Sequence, residues 1–270
     1  MRDLAGKTAV ITGGAGGLGR AVALRLVKTG AKVALWDLDE ERLGRAVAEL
    51  RESGGEARGY ALDAADPAAV REAAERVRAE LGPVDLLHNN AGIIFPGGFL
   101  DSSEEQLHKT VDVNLKSYLW CTKAFLPAMV ERGSGHIVMT ASAAGLLGVP
   151  EMAAYSATKH AVVGLAESLR LELRNKGVRG VGITIVCPSF IATGMFEGAR
   201  PPLLTSWLTP EGVAEKIVEA VRKDRLYVRE PFLVKLVPLI KALPSARLRD
   251  WLGDIIGMHR SMESFREKQR

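Results

Sequence analysis

From Lys7 onward, short apolar runs rich in valine, isoleucine and threonine alternate with longer stretches whose apolar positions recur every three or four residues. The first pattern suits a strand buried on both faces, the second a helix buried on one. Strands are predicted at 8–12, 32–36, 57–62, 84–88, 136–140 and 182–187, and helices at 17–29, 40–53, 67–81, 103–132 and 151–175. Gly30, Gly54, Gly55, Gly82, Gly133 and Gly177 stand where those helices should stop, because glycine accepts the left-handed backbone that ends them. Alternation of this kind predicts an α/β fold: a doubly wound parallel sheet of about seven strands with helices on both faces.

After Pro188 the rhythm changes. Residues 188–209 contain proline and glycine and read as a long loop over the carboxyl edge of the sheet, followed by a helix at 210–223 and a strand at 226–229. Residues 1–230 therefore read as one domain, and 231–270 as a helical extension packed on it or capping it. Within the extension, 232–243 is apolar except for Lys235, Pro238 and Lys241. It is too short to span a bilayer. It suits packing on the protein's own core or on a second subunit, covering an apolar cleft, or lying at a lipid surface.

Composition narrows the class. With 47% hydrophobic and 25% charged residues, the chain can bury a large core and is not disordered. Cys121 and Cys187 have neither metal-ligand spacing nor the number for a disulfide framework, so no metal is expected and a reducing, cytoplasmic setting fits. The strand-like run begins by Lys7, which leaves no room for a signal peptide or anchor helix. The net charge of +4 is uneven: residues 222–270 hold twelve Lys/Arg against six Asp/Glu, leaving the rest at −2. That asymmetry concerns the tail and gives no reason to expect nucleic acid.

The first strand leads into Thr12-Gly13-Gly14-Ala15-Gly16-Gly17-Leu18-Gly19, and a helix follows at once. Glycines here let the backbone approach a diphosphate, and the helix N-terminus offers unpaired N–H groups and a positive dipole. The plainer alternative is a tight strand-to-helix turn, but its place after the first strand of an alternating pattern favours a Rossmann-type dinucleotide site. Gly13, Gly16, Gly17, Leu18 and Gly19 are the candidate contacts. Asp37 closes the second strand, where a carboxylate can hold both adenosine ribose hydroxyls and would repel a 2′-phosphate, so NAD is expected. The alternative, NADP, would need compensating cations, and the neighbours are Trp36 and Leu38. Asp63, followed by Ala64, can reach the adenine amino group or act as a plain helix cap.

Tyr155 and Lys159 lie four apart on a predicted helix and share a face. A tyrosine is a poor base at neutral pH, and a nearby ammonium would favour the phenolate. Ser142 follows the fifth strand, where its hydroxyl can bind a substrate oxygen that gains charge or simply satisfy its own turn. Asn90 and Gly92 lie in a small-residue turn, Asn89-Asn90-Ala91-Gly92, after the fourth strand. Asn114 is a polar, poor helix former where interior positions need partners.

In this order, these features resemble the short-chain dehydrogenase/reductase family, over residues 7 to about 193. The resemblance implies that Tyr155 is the general acid/base, that Ser142 orients the substrate oxygen, that Lys159 binds the nicotinamide ribose and tunes Tyr155, and that Asn114 supports a water relay. Pro188, Ile191 and Thr193 would border the nicotinamide, with Ser189 standing where the family has glycine. It also implies a homodimer or homotetramer paired through the long helices. Ala34-Leu35-Trp36-Asp37, the stretch 122–129, Gly135-His136-Ile137-Val138, 187–191 and 257–262 are similar to the retinol and 17β-hydroxysteroid dehydrogenases of lipid droplets and endoplasmic reticulum. Members of that branch usually begin with a hydrophobic anchor that has no counterpart here, so peripheral membrane contact through the extension is the alternative to a purely cytoplasmic enzyme. The expected reaction is hydride transfer between NAD and a secondary alcohol or ketone. The apolar loop residues Phe190, Met195, Phe196, Leu203, Leu204 and Trp207 suit a steroid, retinoid or fatty alcohol. An NADP-linked carbonyl reductase and a non-catalytic dinucleotide sensor are the alternatives.

Overall fold

The computed structural model describes residues 3–95, 97–203 and 205–262; Leu204 and the last part of the extension, 263–270, lie outside them. Seven strands form one sheet: β1 Thr8–Thr12, β2 Lys32–Asp37, β3 Ala57–Ala61, β4 Val84–Asn89, β5 Gly135–Thr140, β6 Val181–Pro188 and β7 Tyr227–Glu230. All pairs are parallel, in the order β3-β2-β1-β4-β5-β6-β7. The chain reverses its direction of travel between β1 and β4. In sheets of this kind the crevice at the carboxyl ends beside such a switch is where a ligand fits.

Helices α1 Gly17–Val27, α2 Glu40–Glu52 and α7 Pro210–Arg222 cover one face, and α3 Pro67–Leu81, α5 Ser117–Glu131 and α6 Ala153–Asn175 the other. β1 is buried at every position because both faces are covered. Its side chains alternate accordingly, Ala9 and Ile11 packing toward α1 and Val10 toward α3. At the edge, β3 exposes Arg58 and Gly59 to solvent.

Two expectations need correction. The predicted helix 103–132 is broken: α4, Glu104–Val111, is joined to α5 by a π-helical turn at Asp112–Lys116. Asn114 sits in that turn, wholly buried, and binds both backbone groups of Ile93, accepting from its N–H at 2.8 Å and donating to its carbonyl at 2.9 Å. The tertiary bond draws the helix out of register locally. Gly55, unlike the other five predicted stops, is not left-handed; it is glycine because a Cβ would strike Val27.

In the extension, α8 Phe232–Lys241 buries Val234 and Val237 and leaves Phe232 and Leu239 exposed. Helix α9, Ala246–Ile255, follows, and the chain then folds back onto the 188–209 loop. Arg200 N–H donates to the Ser261 carbonyl at 2.8 Å and Leu203 N–H to that of Ile256 at 2.7 Å. Among the described residues no helix is long and apolar enough to cross a membrane.

Candidate active site

A cleft of about 710 Å³ runs along the carboxyl edge of the sheet, within the range of small-molecule sites. At one end it is lined by Gly13, Gly16, Gly17 and Leu18. Gly13 adopts φ +61°, and a Cβ there would lie 2.9 Å from the Ala91 Cα, so the turn can close on the β4 loop only with glycine. Gly17 begins α1; a Cβ would come within 2.6 Å of Thr193, which descends from the 188–209 loop. Gly19 packs against the Gly13 carbonyl, behind the cleft wall.

Helix α1 has no side-chain cap and no acidic residue in its first turn, whereas Asp39 and Asp66 cap α2 and α3. An absent cap costs about 1 kcal/mol, and N–H groups left without one at the wall of a cleft suit an anionic ligand. Asn90 fastens this end: its amide nitrogen donates to the carbonyls of Thr12 and Gly13 at 3.0 and 3.2 Å. Thr12 replies with its hydroxyl, which accepts the N–H groups of Asn90 and Ala91.

Asp37 lines the cleft, but it also accepts the N–H groups of Ala15 at 3.0 Å and Asp39 at 3.2 Å. Asp63 and Ala64 line the same end, and Asp63 accepts from Ala65 N–H in its own turn at 2.8 Å. Two arginines bear on this region. Arg20 is held by Glu49 at 2.6 Å, and Arg42, which lines the cleft, pairs with Asp39 at 3.2 Å.

At the other end stand Ser142, Tyr155, Lys159 and Pro188, with Ile191 and Thr193 on the loop that reaches back to Gly17, and Gly92 also lines the cleft. Asn114 lies behind the wall, its Oδ1 near Gly92. Ser142 Oγ accepts Ala144 N–H at 3.1 Å, which satisfies its own turn, and it faces the Tyr155 phenol in the cleft. Burial pushes the Tyr155 phenol up to about 12, and the Ser142 hydroxyl acts in the opposite direction. Lys159 Nζ lies 5.6 Å from the Tyr155 ring centroid and donates to the Thr140 carbonyl at 2.8 Å. Burial lowers Lys159 to about 7. Helical spacing thus predicts the neighbours, while their titration here is dominated by burial, which spacing does not reveal.

Apolar side chains roof this end. Phe196 packs T-shaped against Tyr155 at 6.2 Å and against Phe190 at 5.3 Å between ring centroids, and Phe190 packs on Trp207 at 5.7 Å. Met262 joins the same cluster, so the extension reaches the site. Met195 lines the cleft, whereas Leu203 is mostly exposed. Sequence reasoning missed Tyr118, Arg42 and the fastening role of Thr12. Tyr118 falls one helical turn after Asn114, a spacing that offers a signal.

A family model described as short chain dehydrogenase matches residues 7–203. The human protein named epidermal retinol dehydrogenase 2 is 38% identical over 272 residues, covering 100% of this chain and 88% of that protein. Mouse estradiol 17-beta-dehydrogenase 11 is 33% identical, covering 91% of this chain and 82% of its own length. A crystal structure of a short chain dehydrogenase/reductase from Burkholderia phymatum in complex with NAD superposes with a TM-score of 0.82 at 34% identity, covering 89% of this chain and 95% of that one.

Proposed function

This chain belongs to the short chain dehydrogenase family, and from that premise we propose that it moves a hydride between NAD and an apolar secondary alcohol or ketone. The observation that carries the reading is the single cleft that joins an uncapped helix N-terminus to Ser142, Tyr155 and Lys159 under an aromatic roof. Two relatives whose names specify retinol and estradiol, together with Phe190 and Phe196 beside the reactive phenol, support a steroid, retinoid or fatty alcohol as substrate.

The residues fit the cofactor. The N–H groups opening α1 would hold the diphosphate, and Asp37 the adenosine ribose. The Asp37 carboxylate would repel a 2′-phosphate, and Arg20 and Arg42 are each already engaged by a carboxylate, which favours NAD over NADP. Bound NAD would supply the hydride acceptor at its nicotinamide, beside Pro188, Ile191 and Thr193.

In oxidation, the Tyr155 oxygen takes the alcohol proton while Ser142 Oγ–H donates to the same substrate oxygen. Lys159, when charged, favours the phenolate that this step requires. In reduction the phenol returns its proton to the carbonyl oxygen, and its high proton affinity keeps it loaded. The apolar roof excludes water from the transfer.

A fluorescence assay of NADH formation over a steroid, retinol and aliphatic alcohol panel, run with both cofactors, tests this. Turnover with NAD on apolar alcohols, exceeding that with NADP, is expected. Faster turnover with NADP reverses the cofactor assignment, and binding of the dinucleotide without any turnover leaves the sensing alternative.

A further inference from the structure

Beneath the catalytic pair lies a second phenol that the scheme above leaves without a task. Tyr118, on the first turn of α5, is wholly buried. Its hydroxyl donates to the Thr140 carbonyl at 3.0 Å, and the same carbonyl accepts from Lys159 Nζ at 2.8 Å. Lys159 Nζ also donates to the Tyr118 oxygen at 3.4 Å, which closes a ring of carbonyl, phenol and ammonium. The nitrogen lies 5.2 Å from the Tyr118 ring centroid and 5.6 Å from that of Tyr155, so it stands between two phenols.

A tyrosine that merely fills the core needs one partner for its hydroxyl, and Thr140 is that partner. Convergence of the lysine on the same two oxygens asks for a further explanation. Lys159 is 2% exposed. The titratable groups around it are Tyr118 and Cys121 from α5, Tyr155 from its own helix, Cys187 from β6, and His88 from β4 acting through the Thr140 hydroxyl. Burial keeps all of them neutral at pH 7: it raises Tyr118 well above the usual phenol range, brings Cys121, Tyr155 and Cys187 to about 12, and lowers His88 to about 3. With no carboxylate in this set, the charged lysine depends on neutral acceptors. An ammonium has three N–H donors. Thr140 and Tyr118 engage two from behind, which leaves the third for the cleft that Lys159 lines.

We infer that Tyr118 is a positioning residue for the proton transfer, its hydroxyl holding the Lys159 ammonium charged and directing one N–H toward the cleft. The inference rests on the reading that Tyr155 and Lys159 perform the chemistry. It makes the acceptor side of the lysine, and not only its charge, part of the site.

Tyr118→Phe keeps the ring and removes the oxygen. In full-length protein carrying ¹³C-lysine, the Lys159 ε-carbon is identified by its loss in Lys159→Met and titrated by NMR. Its midpoint is expected to fall by about one pH unit in Tyr118→Phe, the size of one hydrogen bond to a charged group. In alcohol oxidation kcat at neutral pH should fall about tenfold and the acid limb of its pH profile should move up by about one pH unit, because a less charged lysine leaves Tyr155 harder to deprotonate. KM for NAD should stay within about twofold, since Tyr118 lines no part of the cleft.

Tyr118→His and Tyr118→Met form a second pair, one with polar ring atoms and one without. The histidine should retain most of the wild-type midpoint, and equal midpoints in the two would count against the hydroxyl. A Lys159 midpoint unmoved in Tyr118→Phe overturns the inference whether or not the protein turns over. Absence of alcohol turnover in the wild type would instead overturn the functional reading, and the titration would still decide whether Tyr118 holds the lysine.

Discussion

The carboxylate of Asp37 accepts the backbone N–H of Ala15 at 3.0 Å, so the residue that closes β2 also fixes the glycine-rich turn after β1. Two variants separate its roles. Asp37→Ala should raise KM for NAD roughly 10- to 100-fold, as expected for losing hydrogen bonds to a charged group. Asp37→Asn keeps an oxygen for Ala15 and removes the negative charge. It should retain thermal stability and narrow the preference for NAD over NADP, which paired steady-state kinetics with the two cofactors will show. An unchanged preference would mean that selectivity resides elsewhere in the cleft.

Lys159 sets its proposed role against stability. Its folded value, about 7, lies below the ordinary lysine value of 10.5, so folding penalises the charged form. The penalty is fully present below pH 7 and fades as pH rises toward 10.5, where both states are neutral. Lys159→Met should therefore raise Tm at pH 6.5, by about 2–4 °C for each kcal/mol regained, with the gain shrinking at higher pH. Turnover should be lost in the same variant. Calorimetry across this pH range makes the check.

Two buried histidines predict acid sensitivity. His88 pairs with Thr140 Oγ1 at 2.9 Å and His136 with Thr184 Oγ1 at 2.8 Å, and burial lowers each to about 3. The unfolded chain binds these protons below about 6.5, whereas the folded chain does so only near 3. Stability should thus fall as pH drops through that window, approaching about 1.4 kcal/mol per pH unit for each histidine. Urea unfolding at pH 7, 5.5 and 4.5 measures the slope; His88→Gln should reduce it.

Much of the architecture is legible in the sequence because both faces of the central strands are covered. A run such as β1 contains no charged residue to confuse its reading. The candidate site is legible where chemistry depends on local spacing: the turn at Thr12–Gly19, the helical pair Tyr155 and Lys159, and Ser142 just after a strand. What escapes is set by contacts distant in sequence. The π-helical turn follows from Asn114 reaching Ile93, and nothing in the periodicity of 103–132 marks it. Tyr118 looks like an ordinary core aromatic until the Thr140 carbonyl is placed beside it. The course of the extension likewise depends on pairings of Arg200 with Ser261 and of Leu203 with Ile256.

Phe196 stands nearly perpendicular to the Tyr155 ring and lines the cleft, so it should discriminate among substrates. Phe196→Leu retains apolar volume but removes the aromatic contacts. KM for a ring-bearing alcohol should rise roughly 2- to 10-fold, the worth of an aromatic pair, with little change for a short aliphatic alcohol. Equal effects on both would place the substrate away from this wall.

In the proposed transfer the phenolic oxygen of Tyr155 takes the alcohol proton, and Tyr155→Phe removes that atom alone. NADH formation by Tyr155→Phe is to be compared with wild type on the best alcohol of the panel, alongside a fluorescence titration of NADH binding. A fall in kcat of about 100-fold or more is expected, with the dissociation constant for NADH within about threefold of wild type. A variant that binds NADH normally and retains a rate within about threefold of wild type would contradict it.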